Sequence, residues 1–453
     1  MKTLDPTVPQ DVNYCIPLWV RDLQVKEAIT RVKGRLLETS EVKDEPIAIV
    51  CYGPSLLETW EKIKDFKTIM TCSGAHKFLV EKGIIPTYHV EVDPRPHKVK
   101  LIGPPQEATE YLIASACHQN MFDHLEGFNV KLWHIFGVDE DAMRLLPPDE
   151  WALTGGCSAG LRCLVLARFM GYRDLHIFGM DGSAGANGLH AAEHPNQSKD
   201  TAVVTVNGKE FHTTAGFLEA ARSTGREIDM LRDVTATFYG EGLTQELMKN
   251  HIKVEKKDCI IGVQKPAVIS AAYQTLNEQL HKANAYYGTS GAKHAKNIIK
   301  LTEALKTTSV LDYGCGKGQL ALALPFPIWE YDPAIPGKNE MPRAADIVVC
   351  SDVLEHIEPD RLHVVLDDLR RVTRKVGYFV INTGPAQKTL PDGRNTHLIQ
   401  KNLTWWTKTL AKFFIVGKIH KDGNEVYAVV APLEKAYKQF AIPKKVEAVA
   451  EAA

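Results

Sequence analysis

Between Pro46 and Gly182 the chain alternates short apolar runs with longer stretches of mixed character. The runs are IAIVCYG, TIMTCSG, YHVEVDP, EYLIASA, VKLWHIFG and DLHIFGMDG. Near-continuous apolar runs of this length predict strands buried on both faces, and the helical sequence between them predicts a mostly parallel sheet. AVVTVNGKEFHTT alternates around Asn207-Gly208, which predicts a hairpin, and a helix from about Phe217 to Leu231 follows. The rhythm returns after Ser309. SVLDYG, PIWEYDP, ADIVVCSD and GYFVINTGP read as strands, QLALAL and Arg361 to Arg371 as helices, and FFIVGKIHK with EVYAVVAPL as an edge pair. The expected fold class is α/β, with two doubly wound domains in tandem.

The stretches that break this rhythm suggest the boundaries. Residues 1–45 read as an N-terminal extension, with an amphipathic helix over Val25 to Leu37. Gly240 to about Leu280 reads as connective, with the boundary near Lys265-Pro266. This gives a first domain over 46–265, a second over 266–433 and a frayed, Lys- and Ala-rich tail over 434–453. At 453 residues, two domains are in keeping with the length. The net charge of −1 provides no global basic field for a nucleic-acid backbone. No apolar run reaches the roughly 18 residues that a membrane span needs. MKTLDPTVPQD lacks an apolar signal core. The nine cysteines stand singly, without C-x-x-C, as expected of a reducing cytoplasm and not of a disulfide framework or zinc site.

The densest chemistry lies at Val310 to Gln319. An apolar strand ends in Asp312, and Gly314, Gly316 and Gly318 follow in alternation. Glycines there let backbone approach a ligand closely. G-x-G-x-x-G would need glycine at position 319, where Gln319 stands, and no G-x-x-x-x-G-K-[ST] occurs. An acid two residues before the first glycine suits a ligand with a cationic amino-acid end and a nucleoside end. Asp332, at the end of the next strand, can accept both ribose hydroxyls. ADIVVCSDVLEHI then carries Asp352, Glu355 and His356. These three blocks, in this order, resemble the class I S-adenosylmethionine (SAM)-dependent methyltransferases.

That resemblance implies SAM as methyl donor, held by Asp312, Gly314, Cys315, Gly316, Gly318, Asp332 and Asp352. It places His397, in the loop QKTLPDGRNTHLIQKN, on the acceptor side. His356 or His397 would then be the base for an oxygen acceptor. The helix after the glycine loop is unusually short, since about six residues separate the loop from Pro325. The strand end INTGP is not the Asn/Asp-Pro-Pro-Tyr that grips a flipped base, and no Pro-Cys occurs. The expected acceptor is therefore a small molecule or a glycan.

The first domain carries polar groups at its strand ends. Gly53, Pro54 and Ser55 separate a strand from a helix that Ser55 is placed to cap. Glu91 and Asp93 stand one residue apart, with Arg95 beside them. Gly155, Gly156 and Ser158 open a long apolar helix, whose first amides can face an anion. Asp181 follows another strand, and His190, Glu193 and His194 lie in the loop after it. His190 and His194 have metal-ligand spacing on a helix, but no third ligand accompanies them, and no metal is assigned.

GPSL, Gly-Gly-x-Ser-x-Gly, strand-GMD, the V-x-G-K hairpin and T-x-x-x-F together resemble the 6-hydroxymethylpterin pyrophosphokinase MptE-like family. That family is related to bacterial sialyltransferases and motility-associated factor glycosyltransferases. The resemblance implies a Rossmann-like domain and a nucleotide-activated donor, with or without Mg2+. The donor is either ATP for pyrophosphoryl transfer or a nucleotide sugar for glycosyl transfer. Gly53, Ser55, Asp93, Gly156, Ser158 and Asp181 become donor-site residues, with His190 or His194 as acid or base. The whole reads as a bifunctional transferase. The alternatives are a methyltransferase with a non-catalytic acceptor-binding module and an assembly protein with degenerate domains.

Overall fold

The computed structural model describes residues 2–10, 15–39, 41–135, 143, 145–186, 188–192, 201–254 and 261–433. His194 and the tail over 434–453 lie outside the described residues. The chain divides into two compact units. One combines Met1–Met143 with Trp151–Gln264, and the other combines Arg144–Glu150 with Lys265–Ala453.

The first unit has twelve described strands. They are β1 (Lys2–Thr3), β2 (Ile47–Val50), β3 (Thr68–Cys72), β4 (Tyr88–Glu91), β5 (Glu110–Ala114), β6 (Val130–Ile135), β7 (Trp151–Leu153), β8 (Asp174–Phe178), β9 (Ala202–Val206), β10 (Lys209–Thr213), β11 (Thr235–Phe238) and β12 (Gly262–Gln264). Nine form one sheet in the order β11-β8-β2-β3-β4-β5-β6-β7-β12. It is parallel throughout except for β12, which runs antiparallel to β7. Every residue of β2 and β3 is buried, as their unbroken apolar runs require. The strand order reverses between β2 and β8. In such sheets the crevice beyond the carboxyl ends at this point receives ligands. β9 and β10 form the expected hairpin, with Asn207 and Gly208 both at positive φ, and β1 adds to it in parallel.

Three readings need correction. The first helix spans Leu18–Arg31, not Val25 to Leu37, because the backbone turns extended at Val32. The sequence after Gly240 is not merely connective. It forms a helix at Leu243–Met248, strand β12 and a helix at Ala271–Ala283 that Ser270 caps. Strands β7 and β11 went unforeseen because WAL and TATF are short edge segments.

The second unit has one described sheet. Its strands are β13 (Val310–Tyr313), β14 (Trp329–Tyr331), β15 (Ala345–Ser351), β16 (Thr373–Asn382), β17 (Phe414–Asp422) and β18 (Glu425–Pro432). Their order is β14-β13-β15-β16-β18-β17, with β14 to β16 parallel and β18 antiparallel to both neighbours. Side chains alternate between two cores. Leu311, Val348, Cys350 and Phe379 pack on one face with Leu366 and Leu369 of the helix Leu362–Val372. Val310, Ile347, Val349 and Tyr378 pack on the other with Ile298 and Leu301 of the helix Ala295–Leu305. Both units are thus α/β and doubly wound. Here the order reverses between β13 and β15, so the loops after these strands frame the crevice. No described helix is long and apolar enough to cross a membrane.

Candidate functional sites

In the second unit the glycine loop leaves β13 at the reversal point. Gly314, Gly316 and Gly318 have φ of 77°, 53° and 77°, a region that L side chains enter at a cost. The loop is also tightly covered. A Cβ on Gly316 would stand 2.5 Å from the Gly288 carbonyl oxygen, and one on Gly314 would stand 2.3 Å from Val353 Cγ2. The Gly288 carbonyl in turn accepts the Lys317 amide at 2.8 Å. The short helix that follows is Gln319–Ala323.

Asp312 is buried beneath the loop. Burial, reinforced by the Glu330 charge, pushes its carboxyl up to about 7. Asp332 follows β14, accepting the Gly316 amide and the Ala334 amide, each at 3.0 Å. That bond ties the second strand's acid to the glycine loop. Burial likewise raises the Cys315 thiol. Asp352 follows β15 at φ 55° and pairs with Lys293 at 3.4 Å. Of the seven residues expected to hold SAM, Asp312 lies near the end of β13 and the other six follow β13, β14 and β15.

Next to Asp352, the 3-10 turn Leu354–His356 presents Glu355 and His356. His397 comes from a loop some forty residues later, yet the two imidazoles meet edge to face with centroids 4.7 Å apart. Burial, helped by the charge of His397, presses His356 down to about 4, so its ring is neutral at pH 7. Burial and the Asp352 charge push Glu355 up to about 8. Tyr287 packs against both His281 and His356, at 4.6 and 6.0 Å. It thereby spans from the cover of the glycine loop to the histidines. Glu355 was not foreseen as a site residue, although its place in LEHI was visible.

In the first unit, a cavity of about 510 Å³ opens at the carboxyl ends of the strands. Gly53, Asp93, Gly156, Ser158, Asp181 and His190 line it. The sequence separates these residues by up to 137 positions, and the β2–β8 reversal brings them together. Ser55 stands behind the wall. Its amide donates to Asp181 Oδ2 at 2.8 Å and its hydroxyl to Oδ1 at 2.5 Å, and Gln245 Nε2 adds a third bond at 2.9 Å. Ser55 therefore does not cap its helix. Its own backbone is already helical and its hydroxyl is committed to Asp181. Gly53 must be glycine here, because a Cβ would stand 2.5 Å from both Asp181 Oδ2 and the Gly179 carbonyl.

Ser158 does cap its helix, Ala159–Phe169, accepting the Leu161 amide at 3.3 Å. Ser158→Ala should destabilise the first unit by about 1 kcal/mol, read from its chemical denaturation midpoint. Arg162, one turn on, also lines the cavity, as do Arg95 and Lys98. Asp93 meets both of the last two, with Arg95 Nε at 2.9 Å and Lys98 Nζ at 3.1 Å. Burial favours its neutral form, but the two cations prevail and hold the carboxyl at about 2. Glu91 accepts the Val92 and Asp93 amides at 2.9 and 3.0 Å. Both acids of this strand end thus have protein partners. His190 packs between Tyr52 and Phe217, and burial with the Lys98 charge lowers it to about 4. A neutral ring suits a base better than an acid. Ser73, at φ 53° after β3, also lines the cavity; the sequence showed it as a polar strand end but not as a site residue.

Residues 24–185 match the family model described as 6-hydroxymethylpterin diphosphokinase MptE-like, and residues 278–416 match that of a methyltransferase domain. No curated protein sequence matches the chain significantly. Among solved structures, the MAf glycosyltransferase from Magnetospirillum magneticum AMB-1 aligns over 59% of this chain and 48% of its own, with 15% identity and a TM-score of 0.39. The chain thus spans about half the length of that protein. The 1,6-didemethyltoxoflavin-N1-methyltransferase of Burkholderia thailandensis aligns over 40% of this chain and 98% of its own, with 14% identity and a TM-score of 0.29. The N-methyltransferase NodS of Bradyrhizobium japonicum WM9 aligns over 36% and 100%, with 13% identity and a TM-score of 0.26. The chain carries an MptE-like domain followed by a methyltransferase domain.

Proposed function

We propose that the chain is a bifunctional transferase. The second unit binds SAM and methylates a small molecule or glycan, and the first binds a nucleotide-activated donor by its phosphates. For the second unit the supporting observation is the covered glycine loop at the sheet's reversal point. Asp312, Asp332 and Asp352 stand around it on three successive strand ends. Methyl transfer forms a bond from the acceptor to the methyl carbon as the carbon–sulfur bond breaks, so alignment does most of the work. For the first unit the supporting observation is the helix N-terminus after Gly156, which opens into a cavity also lined by Arg95, Lys98 and Arg162. Amides and cations together suit a diphosphate. Gly53, Gly156, Ser158 and His190 line this donor site, and Asp181 with Ser55 holds its wall. Joining two activities in one chain raises the effective concentration of a shared intermediate.

A second reading is favoured by one observation. The Asp93 and Asp181 carboxylates already have protein partners, as expected of a first unit that binds an acceptor without reacting. Calorimetric titration of the SAH-saturated full chain separates the two. Saturation blocks the methyl-donor site, so heat from ATP with Mg2+, CMP, UDP or GDP then reports the first unit. Binding of ATP supports pyrophosphoryl transfer, and binding of CMP, UDP or GDP supports glycosyl transfer. No heat from any of them moves the acceptor-binding reading ahead.

A further inference from the structure

Glu355, His356 and His397 each bring a possible ligand atom to one place, with the three atoms within 4.8 Å of one another. Glu355 is fully buried. Its Oε1 accepts the Asn382 amide at 2.8 Å, but its Oε2 has no hydrogen-bond partner. His356 Nδ1 has none either, while a hydrogen bond to the Thr396 backbone holds that ring. Buried polar atoms left unmet are destabilising, so their presence here calls for a partner. No hydrogen bond joins the two atoms, so neither satisfies the other, and each can offer a lone pair to a cation once the Glu355 carboxyl is ionised.

His397 is prepared differently. Its Nδ1 lies 2.6 Å from the Gly384 carbonyl, which can only accept, so Nδ1 carries the proton and Nε2 keeps a lone pair. A carbonyl behind the non-ligating nitrogen is the usual support of a metal-bound histidine. With Glu355 ionised, each of the three groups can turn one lone pair toward a common point.

We propose that Glu355, His356 and His397 form a site for a first-row transition dication on the acceptor side of the methyltransferase unit. One carboxylate and two imidazoles suit Zn2+, Mn2+ or Co2+ better than Mg2+ or Ca2+, which prefer all-oxygen shells. Ligands about 2.1 Å from such an ion stand roughly 3.4 Å apart in a tetrahedron. Side-chain adjustments of about an ångström therefore close the shell. The Asp352 carboxylate adds negative charge nearby. Three protein ligands leave the ion an open position, which an oxygen of the acceptor can fill. This role rests on the methyltransferase reading, whereas ion binding itself does not. With the ion present, the histidines serve as ligands, and the ion lowers the proton affinity of the acceptor oxygen.

The test uses the full chain, stripped with a chelator and titrated with Co2+ alone. The expected result is one Co2+ per chain with visible d–d bands, displaced by Zn2+. Glu355→Gln and His397→Ala should each weaken Co2+ binding at least tenfold, consistent with loss of one ligand. Unchanged SAH binding by His397→Ala would show that this variant remains folded. No Co2+ uptake overturns the proposal. So does uptake that both variants retain, or uptake with the intense charge-transfer bands of thiolate ligation. Co2+ binding in a chain that binds no SAH would keep the ion site and overturn its role at a methyl acceptor.

Discussion

Gly316→Val is expected to abolish SAM binding. The new Cβ would lie 2.5 Å from the Gly288 carbonyl oxygen and 2.8 Å from its Cα, both backbone atoms that cannot rotate away. At φ 53° the β-branched side chain adds its own strain, about 1–2 kcal/mol. Gly288 must move, and with it go the bond to the Lys317 amide and the adjoining Tyr287. The loop amide held by Asp332 is that of Gly316 itself, so the tie between the loop and the end of β14 is disturbed as well. SAH should raise the melting temperature of the parent chain by mass action and leave that of the variant unchanged. A variant still stabilised by SAH would show that the ligand does not depend on this loop.

The second large effect is expected in the first unit. Asp181→Ala should cost about 3–5 kcal/mol, because a buried carboxylate with three donors disappears at once. The Ser55 amide and Gln245 Nε2 would be left without it, and the loops after β2 and β8 would lose their clamp. Ser55→Ala removes only one donor and should cost about 1 kcal/mol. Calorimetry of the intact chain reads both, since two units need not melt together. Equal and small losses for the two variants would mean that Asp181 is not the clamp. Asp181→Ala should also abolish any nucleotide binding by the SAH-saturated chain, because the wall of the cavity moves.

What the sequence disclosed follows from what each feature needs locally. Strands β2 to β6 and β8 were legible because a strand largely buried on both faces is mostly apolar, with few polar interruptions. Strands β7, β11 and β12 are three or four residues long at or near the sheet's edges, and WAL, TATF and GVQ carry no such mark. The glycine loop was legible because its three positive-φ positions need glycine. Ser158 was legible as the opening of its helix because the glycine-serine turn is local, although its cap on Leu161 was not read. Ser55 was misread as a cap because its true partner, Asp181, lies 126 residues on. For the same reason His356 and His397 were each visible as histidines, but their meeting with Glu355 was not. Sequence spacing registers local geometry, and these clusters are made by the strand order.

The most direct measurement is calorimetric titration of SAH into the intact chain. The account predicts one site per chain, with heat that Gly316→Val removes. A folded chain that takes up no SAH, even at high micromolar concentration, would contradict the methyltransferase assignment and the acceptor chemistry built on it.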